Sequence, residues 1–226
     1  MKYAVLALVT LLTTLVHSQE IQPDSIKKNG LQLGITFSPE MCFRYISSDA
    51  NNHWLVEIQD SMEVPKYGYT LGFNGIIPLS KRGSLATGIL FNNSGERTKK
   101  EVQISPVNYV NHYYFIQVPL KYNYVLISKK IDVYASLGVL GNFSIGSRMD
   151  VNLVDRKDPI SYYNVVNLNK FSMGAIGGLG ISAPLAKSWD FKAEINYKQS
   201  ITPISSGSIH KMVYAVGTNF GLYYQF

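Results

Sequence analysis

Charged residues are scarce in this chain. Asp, Glu, Lys and Arg make up 16% of its 226 residues, against roughly 25% in an ordinary soluble domain, a deficit that needs a structural explanation. Cysteine is nearly missing: with Cys42 alone, the fold rests on backbone pairing and packing and not on disulfides. Cys42 itself reads as a small apolar side chain beside Phe43 on a strand. Long hydrophobic runs are absent too. After the first twenty residues none approaches the roughly 18 to 20 consecutive apolar residues of a membrane-spanning helix, which excludes a helical membrane bundle. No His/Cys/Asp cluster has metal-ligand spacing, and the glycines recur at period two within strands instead of forming a phosphate loop, so no metal and no cofactor is expected. The formal charge of +6 comes from scattered residues, with no arginine-rich or aromatic-interleaved tract, and no nucleic acid is expected as a partner.

What the chain does contain is 46% apolar residues, far too many for disorder, including 16 Tyr, 10 Phe and 2 Trp. Its mean hydropathy of +0.01 requires apolar and polar residues to be finely interleaved. The N-terminus reads as an address. Lys2 supplies a short positive region, Ala4 to Val16 an apolar stretch, and Val16-His17-Ser18 a cleavage site before Gln19. Residues 1–18 are therefore expected to be a cleaved secretory signal peptide. An uncleaved anchor fits less well, because the stretch is short of a span and no Cys follows to carry lipid. Residues 19–29 read as a periplasmic N-terminal segment and 30–226 as one domain.

That domain shows a period of two, which places successive side chains on opposite faces of a strand. In the last segment Met212, Tyr214, Val216, Thr218, Phe220, Leu222, Tyr224 and Phe226 alternate with Lys211, Val213, Ala215, Gly217, Asn219, Gly221, Tyr223 and Gln225. One face is bulky and apolar; the other is small or polar. The pattern predicts seven further strands: Leu31 to Tyr45 past an irregularity at Pro39, Tyr67 to Ile77, Leu85 to Phe91, Tyr114 to Tyr124, Ile131 to Phe143, Phe171 to Ala183, and Trp189 to Lys198. Short connections are expected near 79–83, 127–130 and 184–188, and long ones at 47–66, 93–112, 148–169 and 199–210. Even strand count, short turns at one end and long loops at the other describe an all-β, eight-stranded antiparallel up-and-down transmembrane β-barrel.

Alternation alone does not separate a membrane barrel from a soluble sandwich. The minor face does. It is rich in glycine and carries opposite charges, Arg44, Lys121, Lys192 and Lys198 against Asp132, Asp190 and Glu194, which suits a curved wall around a crowded interior. Eight strands leave an interior just wide enough for side chains to fill, so those seven residues are expected to form a buried polar network and not a selectivity filter. Aromatics at the strand ends, among them Tyr122, Trp189, Tyr224 and Phe226 at one rim and Tyr45, Tyr67 and Tyr114 at the other, fit interfacial girdles.

With these residues laid out, the chain resembles small outer-membrane β-barrels of the OmpA and OmpX kind, and more closely the PorT-like β-barrels of Bacteroidota. The resemblance rests on Gly34-Ile35-Thr36-Phe37-Ser38-Pro39 running to Arg44-Tyr45, on Val118-Pro119-Leu120 within Tyr114 to Tyr122, and on the terminal Leu222-Tyr223-Tyr224-Gln225-Phe226. It implies residence in the outer membrane of a Gram-negative bacterium, contact with outer-membrane lipid, and assembly by the outer-membrane insertion machinery, with Leu222, Tyr224 and Phe226 resembling an assembly signal. It implies no catalytic activity. The expected role is a non-enzymatic barrel whose long loops 47–66, 93–112, 148–169 and 199–210 bind an extracellular ligand, adhere, or hold envelope-complex subunits. Two alternatives stand: an outer-membrane lipid-modifying enzyme, for which Ser208 and His210 are two apart and His53 and His112 are further bases, and a soluble exported β-barrel carrier.

Overall fold

The computed structural model describes residues 30–48, 63–98, 107–153, 158–164, 166–206 and 209–226; the expected signal peptide and N-terminal segment lie outside them. Eight long strands form the wall: β1 (Gln32–Ser48), β3 (Lys66–Pro78), β4 (Gly83–Thr98), β5 (Val107–Ser128), β6 (Asp132–Leu153), β8 (Phe171–Ala186), β9 (Trp189–Ser200) and β10 (Ile209–Gln225). Two short pieces, β2 (Glu63–Val64) and β7 (Ile160–Tyr163), pair with β4 and β6. All pairings are antiparallel, each long strand pairs with the long strands before and after it in the chain, and β1 meets β10, so the sheet closes into an eight-stranded barrel. Closure overturns the sandwich alternative, because no long strand keeps an unpaired edge. No helix occurs among the described residues.

The chain's alternation becomes inside and outside. Phe73 and Leu137, both 72% exposed, point away from the barrel, whereas Glu40 and Glu194 are 4% and 2% exposed within it. A protein with its apolar face out and its carboxylates in is built for hydrocarbon around it, not water. Each of the eight strands presents the face expected from its sequence. Pro39 lacks an N–H and interrupts the pairing of β1 with β10, yet the register on either side, Phe37↔Phe220 and Glu40↔Gly217, is unchanged.

One expectation is corrected. The long connections are shorter than 47–66, 93–112, 148–169 and 199–210, because β1, β4, β5 and β6 run on to Ser48, Thr98, Val107 and Leu153. Apolar alternation stops where the bilayer stops, but backbone pairing continues above it. In β6 the register with β5 shifts by one residue between Tyr114↔Gly146 and Phe115↔Ser144. Ile145 is the extra residue, and a bulge of one residue reverses which parity faces out. Gly146, at φ 153°, takes the backbone conformation that this turn of the strand requires.

Interior glycines make room for rings. A Cβ on Gly180 would lie 2.5 Å from Tyr134 Cζ, and Tyr134 is buried. The Gly177-Gly178-Leu179-Gly180 run is in register with β9, and the bulge of this strand pair lies at Leu185, between Pro184 and Ala186.

Candidate functional site

The lumen is filled in tiers. Nearest the short turns, Gln32 Nε2 donates to Asp190 Oδ2 at 2.7 Å, and the Lys192 ammonium sits 5.8 Å and 5.4 Å from the ring centres of Tyr134 and Tyr223, within cation–π range. Lys121 Nζ lies 2.7 Å from Glu194 Oε1. In the middle, Lys198 Nζ meets Glu40 Oε1 at 2.6 Å and donates also to Thr70 Oγ1 at 3.0 Å. Thr70 donates to the same Glu40 oxygen at 2.7 Å, and Asn92 Nδ2 donates to Thr70 Oγ1 at 2.8 Å and to Glu40 Oε2 at 3.2 Å. The carboxylate is thereby bound by three neighbours, the condition under which a buried ion pair is tolerated. Higher up, Arg44 and Lys211 flank Glu96 at 2.9 Å and 3.0 Å, with Asn111 donating at 2.8 Å.

Of the seven residues expected inside, Arg44, Lys121, Asp190, Lys192, Glu194 and Lys198 therefore line this stack. Asp132 is placed differently, at the β5–β6 turn, where the Ser128 hydroxyl donates to its Oδ1 at 2.8 Å. Three charged members were missed: Glu40, Glu96 and Lys211. Their inward parity was readable from the strand pattern of β1, β4 and β10, but their role depends on which strands closure brings opposite them.

The outer mouth is stopped by an apolar cluster. Tyr113, Phe115 and Ile204 are buried together, with Val166, Leu168 and Val213 packed against them. Ile204 belongs to the connection after β9, which is held inward by backbone bonds from Asn169 N to Ile204 O at 2.9 Å and from Ile204 N to Lys211 O at 2.8 Å. Beneath it a cavity of about 40 Å³ is bordered by Glu40, Gln117, Asn142, Lys198 and Ile204, room for a few waters and nothing larger.

Outside the barrel, immediately above the outward ring of Tyr114, a polar cluster marks the exit from hydrocarbon. His112 Nε2 lies 3.3 Å from Asp150 Oδ2, Arg148 Nη2 lies 2.8 Å from that oxygen, and Ser161 donates to Asp150 Oδ1 at 2.7 Å. Burial, with Lys66 and Arg148 nearby, pushes the His112 imidazole down to about 4 against the pull of Asp150. Burial alone would raise the Asp150 carboxyl, but the Ser161 hydroxyl and the Arg148 guanidinium hold it below the usual carboxylate range. Ser161 and His112 both bind the carboxylate itself, side by side, and so do not form a serine-to-histidine relay. Of the residues considered for catalysis, His53 and Ser208 lie outside the described residues; His210 is half-buried at the start of β10, opposite Ser47 in the register with β1.

The family described as outer membrane protein beta-barrel domain matches residues 18–206. No curated protein matches the chain. Among solved structures, the Neisserial surface protein A is 12% identical, covering 87% of this chain and 97% of its own at a TM-score of 0.45. OprG of Pseudomonas aeruginosa is 12% identical over 85% and 95%, at 0.41. The attachment invasion locus protein Ail of Yersinia pestis is 11% identical over 85% and 99%, at 0.34.

Proposed function

The chain belongs to the outer membrane protein beta-barrel domain family, and from that premise we propose that it is a non-enzymatic barrel of a Gram-negative outer membrane, closed to solutes, whose working part is a recognition surface above the bilayer. The observation that carries this reading is the length of β5 and β6. Each has 22 residues, about twice the roughly 9–11 that cross a bilayer, and towards the long-loop end they join a sheet with β2, β4 and β7, a length that supports an extension beyond the bilayer. On β7 the Tyr162 and Tyr163 side chains are 46% and 71% exposed. Rigid aromatic side chains on a paired strand lose little freedom on binding and suit a macromolecular contact, either an adhesion ligand or another envelope protein. Residues 1–18 direct export and are removed, the insertion machinery receives the chain through its Leu222, Tyr224 and Phe226 ending, and the flanks rest in outer-membrane lipid.

Mild crosslinking on cells followed by co-purification tests this. The same partner should be recovered with the wild type and lost with Tyr162→Ser/Tyr163→Ser, while planar bilayers holding purified protein show no steady conductance. Large stable conductance steps, or an unchanged set of partners in the double variant, would overturn it.

A further inference from the structure

The three short turns share a composition that their scatter along the sequence conceals. Leu79 to Gly83 carries Lys81 and Arg82, the β5–β6 turn carries Lys129 and Lys130, and the β8–β9 turn carries Lys187. All but the half-buried Arg82 are exposed. Beside them stand three outlying aliphatic side chains, one per turn: Leu79 at 59%, Ile131 at 46% and Leu185 at 63% exposed. The turns lie at one end of the barrel, since Phe226 N bonds Leu31 O, Gln225 N bonds Ser188 O and Val125 N bonds Arg82 O. Among the described residues the acids of this end are Asp132, which accepts from Ser128, and Asp190, which is buried and accepts from Gln32.

An exposed aliphatic residue at each turn puts the edge of the hydrocarbon at the turns themselves, just below the Tyr122, Trp189 and Tyr224 aromatics that prefer the headgroup boundary. Lysine and arginine stems can then lie along the apolar rim with their charges at phosphate level. Five cations at that depth, spaced around a ring, oppose headgroups and not a pocketed ligand. We propose that the short-turn end of the barrel is a binding surface for the anionic headgroups of phospholipids in the leaflet it faces. This rests on the barrel lying in the outer membrane with its short turns towards the periplasm, where that leaflet is phospholipid.

The test reconstitutes the full chain in phosphatidylcholine vesicles containing a minor fraction of phosphatidylglycerol, then measures by native mass spectrometry the lipids that remain bound on release into detergent. Phosphatidylglycerol should be enriched on the order of three- to tenfold over its bulk fraction, and raised salt should remove the enrichment. The variant Lys81→Gln/Arg82→Gln/Lys129→Gln/Lys130→Gln/Lys187→Gln should lose it, with heat-dependent gel mobility confirming that the variant is folded, whereas replacement of the four lysines by arginine should keep it. Bound lipid that mirrors the bulk, or enrichment that survives in the glutamine variant, overturns the inference. So does lipid indifference accompanied by cosedimentation of the wild type with peptidoglycan sacculi, which would assign the cations to a different polymer. Orientation is read separately: a Lys129→Cys protein labelled by impermeant maleimide on intact cells would overturn the membrane placement while leaving the vesicle result to stand by itself.

Discussion

Lys198 and Glu40 meet at 2.6 Å in the middle of the lumen although 158 residues separate them in the chain. The pair ties β9 to β1 across the interior, and its side chains are 10% and 1% exposed. Removing either charge leaves the other buried in the lumen, with only the cavity of about 40 Å³ beside it to supply water.

Lys198→Met should therefore cost about 3–5 kcal/mol, the usual loss on stripping one partner from a buried pair. Glu40→Leu combined with Lys198→Met should regain most of it, because both desolvation penalties disappear together. Urea unfolding of detergent-folded protein, followed by tryptophan fluorescence, measures both. A double variant no better than the single one would show that the network does not act through this pair.

Gly180 and Tyr134 make a second coupled pair. Gly180→Val drives a branched side chain into the ring now 2.5 Å from its Cβ position and should destabilise the barrel by about 1–3 kcal/mol. Tyr134→Ala should relieve that clash, so the double variant should be more stable than the sum of the two single losses.

Acid should loosen the outer rim before the barrel. His112 is held neutral down to about pH 4 in the folded rim against 6.5 when free, so between those values the unfolded segment binds more protons than the folded one. Stability of the rim then falls as pH drops from 6.5 towards 4. Protection of the amides in 107–113 and 146–153 against hydrogen exchange, corrected for the slower intrinsic exchange at low pH, should fall across that window in the wild type and respond less in His112→Gln. An equal loss of protection in both proteins would place the acid sensitivity elsewhere.

Phe226 ends the outward series, 69% exposed, its ring edge-on to Tyr224 at 5.0 Å. One such ring is worth ~1.5 to 3 kcal/mol by area, too little to open a wall closed by eight strands. Deletion of Phe226 should lower the amount inserted in the outer membrane and leave protease-sensitive periplasmic chain, while assembled molecules keep their resistance to SDS until heated. Normal insertion at native expression would remove Phe226 as an assembly signal.

The strands, their faces and the positions of the short turns were legible in the sequence, because a period of two is a local property: each residue needs only its immediate neighbours to decide which way it points. Phe73 outward and Glu194 inward follow from that rule alone. Partnership does not. Whether Lys198 reaches Glu40 or Lys121 reaches Glu194 depends on the stagger with which eight strands close, a relation between segments that no single segment encodes. The bulge at Ile145 is a sharper case. Continued past Phe143, the alternation would send Arg148 and Asp150 into the lumen, but one inserted residue reverses the parity and turns both outward to meet His112. Ile204, in a stretch that reads as loop, becomes the stopper of the outer mouth only because Tyr113, Phe115 and Val213 of distant strands leave an apolar recess for it. Likewise Lys81, Lys129 and Lys187 are isolated cations along the chain, and the up-and-down path of the barrel is what gathers them at one end.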